Sequence, residues 1–233
     1  PEDMMQRFGK IITEVNKLIV RMVPDEFKKD WMVDAQAGTV AFGSAYHNWA
    51  TSLPFMAKKN VNFKQIYDFM EKEQKRELAK AAPLHEVLLD MIVEKLPSAD
   101  VAQKYRIPHI WRGESEEDIG QSMVNAKADG DSAFMVTKVV LDPHAGEIAV
   151  GRLFSGSIKK GDQMYVAGMP NANRVQSVGM FVGGDRIATE TVTAGNIIAV
   201  SGLRDAQSGS TISSNKEMTP FERIVHNSDP VVT

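Results

Sequence analysis

Apolar residues at Met4, Met5, Phe8, Ile11, Ile12, Val15, Leu18 and Ile19 recur at intervals of three and four, which sets them on one stripe of an amphipathic helix. Pro24 ends it, because proline lacks the N–H that the next turn would need. The run Thr39-Val40-Ala41-Phe42-Gly43-Ser44-Ala45 then changes to continuous apolar residues closed by small ones, and predicts a short buried strand leaving into a loop. Helical spacing returns over 63–80 (Phe63, Ile66, Tyr67, Phe69, Met70, Leu78) and over 84–95 (Leu84, Val87, Leu88, Met91, Ile92), with Pro83 placed where a helix start tolerates it. Helices of this kind cover a sheet, and one strand is not a sheet, so the remaining strands are expected ahead of Pro1. Pro1-Glu2-Asp3 reads as the first turn of a helix already entered, and Pro230-Val231-Val232-Thr233 as a β-type run without a closing turn. Both ends are expected to be cuts in a longer protein.

From Pro97 to Gly130 the periodicity fades through Tyr105-Arg106-Ile107-Pro108-His109-Ile110-Trp111-Arg112-Gly113 into an acidic patch at Glu114, Glu116, Glu117 and Asp118. This is a linker long enough to pack on the domains it joins. Beyond Gly130 the pattern is β throughout, with strands predicted near 133–141, 147–155, 162–167, 174–182, 186–191, 196–201 and 210–213. Turn formers punctuate it at Asp142-Pro143-His144-Ala145-Gly146, Lys159-Lys160-Gly161-Asp162, Gly183-Gly184-Asp185 and Thr193-Ala194-Gly195-Asn196. Short strands so spaced predict a closed or nearly closed antiparallel barrel, which leaves few exposed edges.

Composition agrees with two domains in 233 residues: 43% hydrophobic, 24% charged. The net charge of −3 divides into about −1 before Ala128 and about −2 after it, so neither half is a polycation. Contact with nucleic acid would have to be local, through a few placed Lys and Arg side chains. Without cysteine there is no disulfide and no thiolate metal site. No apolar run approaches the roughly 18 residues of a membrane span, and a cytoplasmic protein is expected.

Most candidate chemistry resolves into ordinary structure. A phosphate-cradling GxxxxGK[ST] loop is absent from the sequence. Gly156-Ser157-Ile158-Lys159-Lys160-Gly161-Asp162 has the glycine spacing but puts an Asp where the phosphate-binding Lys belongs, so it reads as a turn. His47, His85, His109, His144 and His226 have no metal-ligand spacing. Lys28-Lys29 and Lys58-Lys59 read as solvated surface, the thirteen methionines as core filler, and Trp49 and Trp111 as domain packing. Val40 to Ala45 stands apart: a buried strand delivers a Ser-Ala turn, the form of the fifth guanine-nucleotide motif of GTPases, where a small residue presents a backbone N–H to guanine O6.

Read together, longer stretches resemble archaeal-type elongation factor 2. They are Gly43-Ser44-Ala45-Tyr46-His47-Asn48-Trp49-Ala50, Ala82-Pro83-Leu84-His85-Glu86-Val87, Ala102-Gln103-Lys104-Tyr105-Arg106-Ile107-Pro108, Ile110-Trp111-Arg112-Gly113, Val150-Gly151-Arg152-Leu153-Phe154-Ser155-Gly156 and Ala194-Gly195-Asn196-Ile197. The resemblance implies a multi-domain α+β chain: an incomplete, mostly helical α/β GTPase-domain tail over 1–96, a packed linker over 97–128, a translation-factor-type β-barrel (domain II) over 129–220, and over 221–233 a lead-in to a third domain. It assigns Ser44 and Ala45 to guanine contact, with the Ala45 N–H as donor to O6 and the Ser44 hydroxyl bracing the loop. The family's phosphate loop, DxxG turn and NKxD motif would precede this stretch. Asn16-Lys17-Leu18-Ile19 lacks the Asp of NKxD and is not that motif. The resemblance implies GTP or GDP and Mg in the full-length protein, no tight binding and no hydrolysis by this piece, and a ribosomal partner met through small-subunit rRNA as well as through the protein's other domains. An independent β-barrel RNA- or ligand-binding module with a helical N-terminal domain is the other architecture the residues permit.

Overall fold

The computed structural model describes residues 2–114, 117–143 and 145–222, and of residues 2–5 the backbone alone. The predicted lead-in over 221–233 therefore lies almost wholly outside the described residues, as do Pro1, Glu116 of the acidic patch and His144 of the first barrel turn. The chain divides into two compact units, Pro1–Leu96 and Pro97–Thr233.

The first unit carries α1 (Glu2–Met22), α2 (Asp25–Trp31), β1 (Phe42–Ser44), β2 (Trp49–Thr51), α3 (Leu53–Lys59), α4 (Phe63–Glu71), α5 (Lys75–Ala81) and α6 (Leu84–Lys95). The single predicted strand is the first arm of a short antiparallel hairpin, Phe42 facing Thr51 and Ser44 facing Trp49. The helix predicted over 63–80 breaks in two, because Glu73 takes a left-handed φ of 54° and Gln74 N–H turns back to Phe69 O at 2.8 Å. Asn62 starts α4 with a reciprocal cap, accepting from Gln65 N–H while the Gln65 side chain accepts from Asn62 N–H. A small core of Ala50, Phe55, Ile66, Leu78, Ala82 and Val87 holds α3 to α6 on the hairpin. Apolar stripes remain in solvent: Ile11 and Leu18 on α1 are 47% and 55% exposed, and Leu89, Val93 and Leu96 at α6 are 58%, 82% and 64% exposed.

The second unit opens with α7 (Ala99–Ile110) and α8 (Asp118–Val124), where the sequence showed only a linker. Periodicity is faint there because α7 buries a polar residue, Gln103, beside Ile107, and because Pro108 stands in its last turn. Ten strands follow: β3 (Ala133–Asp142), β4 (Gly146–Ser155), β5 (Ser157–Lys159), β6 (Gln163–Val166), β7 (Ala172–Arg174), β8 (Ser177–Val182), β9 (Asp185–Thr189), β10 (Thr191–Thr193), β11 (Ile197–Ser201) and β12 (Thr211–Ser213). Eight form an antiparallel ladder in the order β7-β6-β12-β3-β4-β11-β8-β9, and β5 pairs with β10 separately. The run predicted over 174–182 is bent rather than single. Its first half pairs with β6 and its second with β11, and Val175 and Gln176 bond to both sides at the bend: Val175 N–H to Asp162 O (3.0 Å) and Gln176 N–H to Ser201 O (2.9 Å). Because β7 and β8 are consecutive, the ladder returns on itself through the chain.

Inside lie Phe134, Val136, Leu153, Ile158, Met164, Val178, Ile198, Val200 and Ile212, contributed by nearly every strand and by the β5–β10 pair. Outside β3 and β4 a second core joins Met135 and Phe154 to Ile107, Trp111, Met123, Met218 and Phe221. Gln103 stitches this layer together: its Nε2 donates to Phe154 O at 2.9 Å and to Met123 O, one carbonyl on the barrel and one on α8. A leucine at 103 would take the donor from Phe154 O and leave Met123 O with Ala126 N–H alone (3.2 Å), so Gln103→Leu is expected to cost about 1 kcal/mol. A urea midpoint unchanged from wild type would show the amide to be dispensable.

Candidate guanine-contacting loop

The Ser-Ala turn is the tip of the β1–β2 hairpin, a four-residue connection over 45–48. Gly43 permits the arms to close, since a Cβ there would sit 2.4 Å from Trp49 O and 2.7 Å from Ala50 Cα. Asn48 takes a left-handed φ of 56°, a conformation Asn tolerates better than most side chains. Its carbonyl accepts Leu84 N–H at 3.2 Å, and Ala50 N–H reaches Ala82 O at 3.0 Å, so the start of α6 anchors the return arm.

Within the tip, His47 N–H donates to Ser44 O at 3.2 Å and approaches Ser44 Oγ at 3.3 Å, while Asn48 N–H donates to Ala45 O at 3.1 Å. Ser44 thus spans its own turn with both oxygens. Ala45 is exposed, and its N–H meets no acceptor among the described residues, leaving a small-residue donor facing out. Beside it Tyr46 is 89% exposed and stands edge-on to His47 with centroids 4.8 Å apart. Tyr46, His47 and Asn48 line a shallow hollow of about 240 Å³ with Lys75, Arg76 and Ala79.

Lys58 and Lys59, read from sequence as solvated, tie α3 to α6 through Asp90 (2.8 Å) and Glu86 (2.9 Å). The hydrogen bond and charge of Asp90 raise Lys58 above the ordinary lysine value. Pairs this exposed contribute little to stability. Gly156–Asp162 is the short strand β5 followed by a turn over 159–162, in which Asp162 Oδ2 accepts Lys159 N–H at 2.9 Å, and a strand rather than a helix comes next. Among the described residues no three His, Asp or Glu side chains gather to hold a metal, and no helix is long and apolar enough to cross a membrane. Trp111 is buried at 3% exposure, with its indole N–H on Thr219 O at 2.7 Å, which makes it a packing residue.

The sequence points to Ser44 and Ala45 as candidates, and the structure adds Gly43 and Asn48 as the residues that shape the loop. A glycine before a small-residue turn and an asparagine ahead of an apolar pair were the available signals.

Comparison with known proteins gives one family match, Elongation factor Tu domain 2, over residues 146–213. The whole chain is similar to elongation factor 2 from Picrophilus torridus (53% identical over 232 residues), Methanosarcina thermophila (52% over 232) and Thermococcus gammatolerans (51% over 233). All of this chain is covered in each case, and it spans 32% of the length of each relative.

Proposed function

The chain belongs to the elongation factor 2 family, and on that premise we propose that it works as part of a cytoplasmic, GTP-dependent ribosomal translocase that promotes movement of tRNA and mRNA. Residues 1–96 are the later part of the GTP-binding domain, and the Ser44–Ala45 turn is its last guanine contact. The barrel over 129–220 meets small-subunit rRNA, with 97–128 as the connection and 221–233 leading to a further domain. The observation that carries the reading is identity of 50% or more running through both units. An independent barrel module with an unrelated helical partner would not match one protein end to end, and that alternative is set aside. The solvent-facing stripes of α1 and α6 fit the same reading, since sheet strands preceding this stretch would cover them.

The loop suits a guanine edge. The Ala45 N–H is free to donate to O6, Ser44 holds the turn, and an alanine side chain leaves room for the base. Bound GTP would supply the phosphoryl group whose hydrolysis drives the domain switch. No residue of this chain is assigned to its phosphates or to Mg, because the phosphate loop, DxxG and NKxD motifs are not in the sequence.

Fluorescent GDP titration tests the assignment. In the full-length protein Ala45→Pro, which deletes the N–H, should weaken binding about tenfold, the worth of one hydrogen bond in a desolvated site, while Ala45→Gly stays near wild type. The 233-residue chain alone should not saturate below about 1 mM nucleotide, as one or two hydrogen bonds cannot offset the cost of association. Unchanged affinity in Ala45→Pro would remove Ala45 from the site, and tight binding by the chain alone would overturn the account.

A further inference from the structure

Ala45 N–H faces out because the peptide that carries it is held from its other side. In a trans peptide the carbonyl and the N–H point opposite ways, and Ser44 O accepts His47 N–H across the turn at 3.2 Å, so Ala45 N–H is turned away from the hairpin. The next peptide is fixed in the same manner, as Ala45 O accepts Asn48 N–H at 3.1 Å. Asn48, at its left-handed φ of 56°, then places its own carbonyl on Leu84 N–H at 3.2 Å. The series of bonds that aims the free donor thus ends outside the loop, on the first residue of α6.

We propose that the Leu84 amide is a positioning group for guanine recognition, acting through Asn48 to hold Ala45 N–H on the line to O6. The proposal rests on the reading of the Ser44–Ala45 turn as a guanine contact. An N–H at the first helical position has no acceptor within its own helix, so Leu84 can spend it on the loop at no cost to α6. The segment around it is firmly seated. Pro83 bridges to Trp49, Ala82 O accepts Ala50 N–H at 3.0 Å, and Ala82 and Val87 are fully buried in the core of the unit. Ala82-Pro83-Leu84 therefore runs along the return arm as a third strand would, while Ala45 and Tyr46 at the tip are exposed. An exposed tip takes its aim from a buried support. A donor so aimed rewards an oxygen acceptor at the 6-position of the base, and losing the aim should cost that preference rather than the grip on sugar and phosphates.

The test is made in the full-length protein with two nucleotides, GDP and 6-thio-GDP, whose sulfur is a poor hydrogen-bond acceptor in the place of O6. Leu84→Pro deletes the N–H and keeps the helix start, since proline suits the first helical position and Pro83 already holds the extended ψ of 128° that a following proline needs. An ester in place of the amide between residues 83 and 84 removes the same N–H with the leucine side chain intact, so a misfolded proline variant does not shelter the proposal. Each change should weaken GDP binding about fivefold, within the roughly tenfold assigned to the whole Ala45 bond, because Ala50 N–H still holds Ala82 O. Affinity for 6-thio-GDP should stay within about twofold of wild type, so the preference for oxygen shrinks. A residue that only stabilised the fold would lower both affinities alike. A preference unchanged by the ester, or a loss shared equally by the two nucleotides, would overturn the proposal. If Ala45→Pro lowers the preference and the ester does not, the Leu84 anchor is refuted and the guanine assignment of the loop stands. If Ala45→Pro leaves the preference unchanged as well, the assignment of the loop falls and the anchor falls with it.

Discussion

Alanine at Gly151 should remove a large fraction of the barrel's stability. Gly151 is buried on β4 between Val136 and Ile198, where β3 makes a register shift, and an added Cβ would lie 1.9 Å from Met135 O and 2.9 Å from Val136 Cα. Those atoms are backbone, held by the ladder on both sides, so the clash can be relieved only by parting β3 from β4. Overpacking of side chains alone costs about 1–3 kcal/mol, and a backbone collision at the centre of the longest hairpin should reach or exceed the upper value. Against a domain stability of about 5–15 kcal/mol that is a large fraction. Urea unfolding read by hydrogen exchange of β3 and β4 would measure it, with Gly184→Ala as the control, since nothing lies within 4 Å of a Cβ in that turn. A loss below about 1 kcal/mol would mean the strands are not packed as described.

Removing the indole of Trp111 is the second large effect. Its ring is 3% exposed among Ile107, Met123, Phe154 and Phe221, and its N–H satisfies Thr219 O. Trp111→Ala is expected to cost about 3–5 kcal/mol through the cavity and the orphaned carbonyl together. Trp111→Phe should cost about a third of that, because most of the apolar contact survives and the hydrogen bond does not. Calorimetry would give both numbers. Near-equal losses in the two variants would assign the stability to the hydrogen bond rather than to the packing.

Legibility in the sequence followed the strength of local signals. The barrel strands were readable because short apolar runs are punctuated by turn formers, and the turns at 159–162, 183–185 and 193–196 stand where they were expected. The bend at Val175-Gln176 was not readable. Strand pattern continues through it, and only pairing with two different neighbours, β6 and β11, divides it. The helix α7 escaped notice because a buried amide at Gln103 breaks the apolar stripe, and its partners, Met123 O and Phe154 O, come from distant parts of the chain. The Ser44–Ala45 turn was visible through its resemblance to a nucleotide motif, whereas the donor left free at Ala45 depends on how the hairpin closes.

The segment that follows α7 and the last described segment of the second unit run side by side. Trp111 and Phe221 form an antiparallel bridge, Glu222 N–H donates to Ile110 O at 2.9 Å, and Arg112 pairs with Glu222. A pull applied between residues 110–112 and 221–222 is therefore borne by this clasp. The hundred or so residues between them form a side loop in the line of force and stay slack until the clasp parts. Tension could reshape what lies on either side of the barrel while the barrel itself kept its form.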